Sequence, residues 1–174
     1  MIKYVCNDDY VKNILVNNTE RIVDFFEFIP QIDINVLVLE YKEFKKEFES
    51  YLEFSISKDT TGFIEDDNNT LVYLKFEDWD KTIHKNSSKS EYDKVIVHEL
   101  VHFIHSIYCE KKYPDDKIYE GLAYYLANQK DNFYYDYFKN LLDKYNHEKL
   151  LNILSGKWYF RNRNGYYWSF FSVK

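Results

Sequence analysis

From Tyr10 to Phe28 apolar residues recur at Ile14, Leu15, Ile22, Val23, Phe25 and Phe26 among polar ones. That spacing predicts an amphipathic helix, and Pro30 closes it. Ile32 to Leu39 alternates at first and then turns continuously apolar, as in a strand covered on one or both faces. Tyr41 to Leu52 sets Phe44, Phe48, Tyr51 and Leu52 among Lys and Glu, which predicts a second amphipathic helix. Thr60 to Glu65 and Leu71 to Phe76 read as short strands. Asp66-Asp67-Asn68-Asn69 between them is suited to a turn, so the unit reads as a hairpin. Trp79 to Lys89 is polar and predicts a loop. Ser88 followed by Glu91 forms a capping box, which starts a long apolar helix near Ser88 to Glu91 and lets it end before Pro114. Helical patterns follow over Lys117 to Asn128, Asn132 to Tyr145 and Glu148 to Leu154, the last closed by Gly156. A final turn is expected from Gly165.

These elements predict one α+β domain over residues 1–174. A small mixed sheet of about three to four strands packs on helices in residues 1–90, and residues 91–174 are helical. The length suffices for a real core without disulfides. Hydrophobic residues make up 45% and aromatic residues 20%, which excludes a disordered chain. Cys6 and Cys109 are too few for a disulfide framework, and Cys109 reads as a free buried thiol. The net charge of −6 argues against nucleic acid as a partner. Lys111-Lys112 and Lys157 with Arg161 and Arg163 are short basic patches of the kind found on solvated surfaces. No run of eighteen apolar residues occurs, so no membrane span is expected. The start of the chain lacks the apolar core and cleavage site of a secretory signal, which points to the cytoplasm. Oligomeric state leaves no signature in the pattern.

Within the capped helix lies His98-Glu99-Leu100-Val101-His102. Residues four apart lie above one another on one helix face, so His98 and His102 can converge on one ion. Glu99 projects about 100° round the helix, where its carboxylate can act as a base without ligating metal. Apolar Val95, Ile96, Val97, Leu100, Val101, Phe103 and Ile104 predict a helix buried on most sides, its histidine stripe facing a cavity. A catalytic zinc takes three protein ligands, so one is missing. His105, His84, His147 and the acids downstream are candidates. His105 shares the stripe but sits nearly a turn past His102, and three ligands on one straight helix enclose an ion poorly; a supporting or surface role suits it better. Glu120 fits better, because it opens a helix rich in small residues after Pro114. The alternative for Glu120 is a surface acid placed favourably at a helix N-terminus.

His98-Glu99-x-x-His102 followed by Glu120-Gly121-x-Ala123 resembles the gluzincin zinc metallopeptidases, in particular the peptidase MA-like and minigluzincin group. The likeness covers about Ile32 to Lys174, with specific motifs at His98–His105 and Tyr119–Ala127. It implies a zincin-like fold and one zinc ion held by His98, His102 and Glu120. It implies further that Glu99 is the general base for hydrolysis of a peptide or protein substrate. Gly62-Phe63-Ile64-Glu65 looks like the family's cleft-rim strand, and a plain hairpin strand fits those residues as well. Tyr166, in Tyr166-Tyr167-Trp168-Ser169, looks like the family's late tyrosine that donates to the oxyanion; Tyr167 or Tyr119 are alternatives. Other classes remain: a zinc-binding interaction module without activity, a regulatory peptidase with a single protein substrate, and a purely structural helix bundle that holds no stoichiometric metal.

Overall fold

The computed structural model describes residues 2–53, 55–130 and 132–156. Four strands are described: β1 (Lys3–Cys6), β2 (Asp33–Leu39), β3 (Gly62–Glu65) and β4 (Thr70–Leu74). Six α-helices accompany them: α1 (Asp9–Phe26), α2 (Tyr41–Leu52), α3 (Lys89–Tyr108), α4 (Asp116–Leu126), α5 (Phe133–Lys144) and α6 (His147–Leu154). A 3-10 turn spans Phe76–Lys81. The fold is therefore mixed α and β, as the patterns predict. Tyr166, and the last turn expected from Gly165, lie outside the described residues.

The sheet order is β1-β2-β4-β3, with β1, β2 and β4 parallel and β3 antiparallel along the edge. β4 is buried along its whole length, so the sheet centre is covered on both faces. Alternation then assigns the faces of β3. Phe63, opposite Val72, packs its ring against Phe44, Phe48 and Tyr51 of α2. Gly62, opposite Tyr73, belongs to the other face, where the Tyr73 hydroxyl donates to the Ile96 carbonyl of α3 at 3.0 Å. The edge strand is thus fixed directly over the helix that carries the histidines.

Two parts of the pattern read differently in the structure. The polar start contains β1, a four-residue strand with only alternate half-burial, too short for its periodicity to stand out. Trp79, expected in a loop, lies in the 3-10 turn and is buried against Phe76 and Tyr92. Six residues of 3-10 helix are too few for a repeat by which sequence reading finds it.

The start of α3 is placed by Ser88. Its hydroxyl accepts from the Glu91 N–H, while the Glu91 carboxylate accepts from the Ser88 N–H at 2.7 Å. Such a cap contributes about 0.5–2 kcal/mol and fixes the register of the helix. Further along, His105 is fully buried, and its Nε2 donates to the Leu154 carbonyl of α6 at 2.9 Å. His105 is therefore a tie between helices and not a surface group. Burial holds its pKa down to about 3, from 6.5.

That shift has a definite sign. The unfolded chain takes up a proton at His105 near pH 6.5 and the folded protein resists until about pH 3. This group's contribution to stability is whole above 6.5 and is lost as pH falls, by up to about 1.4 kcal/mol per pH unit. His105→Gln should flatten the slope of unfolding free energy between pH 6.5 and 4.5, read by urea titration. An unchanged slope in that variant would assign the acid sensitivity to other groups.

Candidate metal centre

His98 and His102 lie one turn apart on α3, and Glu120 lies in the second turn of α4, which packs across α3. Asp115 caps α4 by accepting from the Lys117 N–H, and this sets the angle at which Glu120 enters. The next residue, Gly121, permits close packing. A Cβ there would fall 2.8 Å from the Tyr134 carbonyl oxygen and 2.9 Å from Cβ of Phe138, so any side chain would push α5 away.

The three side chains converge. Nε2 of His98 and Nε2 of His102 are 2.9 Å apart. The Glu120 carboxylate oxygens lie 3.5 Å from the first and 3.4 Å from the second. One ligand atom from each group falls within 4.8 Å of the others, so the triad can hold a metal ion. Tetrahedral zinc with bonds of about 2.0–2.2 Å puts its ligand atoms about 3.3–3.6 Å apart, close to the carboxylate separations here. The side chains of His98 and His102 are 12% and 7% exposed and that of Glu120 is 35% exposed, which leaves the site open on the carboxylate side.

The tautomer of His98 supports ligation. Its Nδ1 donates to Oε1 of Gln129 at 2.8 Å, so Nε2 presents a bare lone pair to the centre. His102 is held by packing instead: the Tyr119 ring stacks on it with centroids 4.2 Å apart and planes 19° apart. Its buried Nδ1 has no hydrogen-bond partner among the described residues. Two imidazole nitrogens at this distance require a proton or a cation between them.

The electrostatics agree. Burial alone would lower the His98 pKa, yet the carboxylates of Glu120 and Glu99 and the Gln129 acceptor outweigh it and raise it. For Glu120, burial opposes ionisation, but the adjacent imidazoles of His102 and His98 prevail and hold the carboxyl well below the ordinary range. The site favours positive charge at its centre, as a divalent cation would supply.

Glu99 projects off the same helix toward β3. A Cβ built on Gly62 would lie 2.9 Å from Cγ of Glu99 and 3.3 Å from the Tyr73 ring, so glycine there leaves room for the carboxylate. Tyr119, an alternative hydroxyl donor by sequence, instead has its ring between His102 and His105, with its hydroxyl 3.5 Å from the His102 carbonyl. His84 packs on Trp79 and reaches the Asp59 carbonyl, and exposed His147 pairs with Glu27, so neither joins the centre.

Sequence reading missed two contributors and one contact. Tyr124 lies four residues after Glu120, the spacing that also relates the two histidines, and its ring meets His98 edge-on at 4.8 Å. That signal was available. Gln129 lies past the end of α4, where no periodicity applies, and the closeness of Gly62 to Glu99 depends on strand register.

Gln129→Ala should weaken binding of a divalent metal about 10–100-fold, measured by competition with a chelating dye, because the ring of His98 loses the acceptor that fixes it. Gln129→Glu retains an acceptor and should recover most of the affinity. Equal dissociation constants for wild type and Gln129→Ala would leave Gln129 without a role at the centre. No protein-family model, curated protein or solved structure matches the chain.

Proposed function

We propose that this chain is a zinc-dependent peptidase of the gluzincin type with a zincin-like domain, acting on a peptide or protein substrate. One observation carries the reading: His98 and His102 of α3 and Glu120 of α4 meet around a single point, and Glu99 stands on the same helix as the two histidines. A structural helix bundle gives no reason to bring two inward-facing imidazoles and a carboxylate together.

His98, His102 and Glu120 hold the ion, and Gln129 and Tyr119 keep the two rings in position. When bound, zinc supplies Lewis acidity, which lowers the pKa of water toward about 7 and polarises a carbonyl. Glu99 is the general base: it takes the proton of the attacking water and delivers it to the leaving amine, so the peptide C–N bond breaks and no net proton is consumed. The edge strand β3 has a strand partner only on its β4 side among the described residues, which leaves its outer edge for an extended substrate to join by strand addition. Tyr166 is the proposed donor to the oxyanion.

The test pairs elemental analysis with digestion of a diverse peptide library. About one zinc per chain together with cleavage that a chelator abolishes is the expected result. Zinc without cleavage would leave a metal-binding interaction module, and absence of zinc would remove the reading altogether.

A further inference from the structure

Aromatic rings lead away from the centre in unbroken sequence. The Tyr124 ring lies edge-on to His98 at 4.8 Å. Tyr134, on α5, stacks on Tyr124 at 5.8 Å with planes 16° apart. Phe133 meets Tyr134 at 5.6 Å and stacks with Tyr137 at 6.4 Å. Exposure rises at the outer end of this series. Tyr124 and Tyr134 are half-buried, and Phe133 at the outer end is 63% exposed.

Such a ladder is unexpected on this helix. Phe138 is the only fully buried residue of α5, so the aromatic residues in its first turn are not needed to fill the core. A phenyl ring left in water forgoes the stabilisation its burial would give, and single exposed apolar residues are ordinary. A connected series that begins on a histidine of the candidate metal triad is not scattered in that way. From His98 to the far end the ladder covers a span that an extended peptide crosses in about three to five residues, at roughly 3.4 Å per residue.

We propose that the Tyr124–Tyr134–Phe133 ladder is the specificity wall of the cleft, and that it receives an aromatic or large aliphatic side chain located a few residues from the scissile bond. The inference rests on the peptidase reading and adds the class of substrate to it. Aromatic rings provide large apolar contact at low conformational cost, and Phe133 at the outer end is exposed enough to receive an incoming side chain. Lys117, with Nζ 5.7 Å from the Phe133 centroid, adds a cation beside the outer subsite, which disfavours a basic residue there.

The test uses zinc-loaded Glu99→Gln protein, which binds substrate without cutting it, and labelled dodecapeptides of Ala, Ser and Gly. One set carries a single Phe at successive positions and the control carries Ala there. Fluorescence anisotropy should show roughly tenfold or tighter binding for at least one Phe position, the amount expected from burial of one ring. Adding Phe133→Ser and Tyr134→Ala to that protein should bring the Phe peptides to parity with the control, with zinc content unchanged. Equal binding of Phe and Ala peptides at every position overturns the proposal.

Sedimentation of wild type and Phe133→Ser tests the other occupant of the patch. A dimer that the substitution dissociates, with no Phe preference in binding, would make the patch an interface between two copies. The two readings fail separately. Library cleavage by wild type without aromatic preference removes the wall and leaves the hydrolase, whereas Phe-selective binding without any cleavage removes the hydrolase and leaves the wall.

Discussion

Glu99→Gln should leave the zinc content of the purified protein unchanged and lower peptide hydrolysis by about 10²–10⁴-fold, the usual contribution of a positioned general base. The substitution preserves shape and the ability to hydrogen-bond, and it removes only the capacity to take a proton. The geometry makes it a clean variant. Glu99 is half-buried beside Gly62, where its Cγ and Cδ fill the space a Cβ would need, and glutamine occupies the same volume. Stoichiometric metal binding should persist, because Glu99 is not among the three groups that converge at the centre. The check is elemental analysis and library digestion on the same preparation. Hydrolysis at the wild-type rate with equal zinc would show that Glu99 is not the base, whatever the metal does.

Much of this site was legible in the sequence because it follows from helical periodicity. The spacing of His98 and His102 needs only 3.6 residues per turn, and the capping residues Ser88 and Glu91 place the start of that helix as their pattern predicts. Glu120 was legible through Gly121, whose lack of a side chain is required by the approach of α5. The contributors that escaped belong to long-range geometry. Gln129 reaches His98 across 31 positions from beyond the end of α4, and β3 sits over Glu99 because of its register with β4. His105 looked like a group on the histidine stripe, yet the position of α6 turned it into a buried tie to Leu154. A period reports which face a residue occupies, and only packing decides what stands opposite.

The second large effect concerns the ligand from α4. Glu120→Ala should abolish stoichiometric zinc, with a loss of affinity greater than the roughly 10–100-fold expected for an outer partner such as Gln129. Glu120 is the one carboxylate in the triad, so without it two neutral imidazoles face the ion with nothing to offset its charge. The fold should survive, since the side chain is 35% exposed and its removal creates no core cavity. Thermal unfolding separates these expectations. Zinc in hundredfold excess over its dissociation constant should stabilise wild type by about 2.7 kcal/mol, and the same addition should leave the melting temperature of Glu120→Ala nearly unmoved. Glu120→Gln tells charge from shape: its amide oxygen can still ligate, but it lacks the negative charge that the two histidines hold ionised. Intermediate zinc affinity in that variant is the expected outcome. Full wild-type affinity in Glu120→Ala would place the third ligand elsewhere and separate α4 from the metal centre.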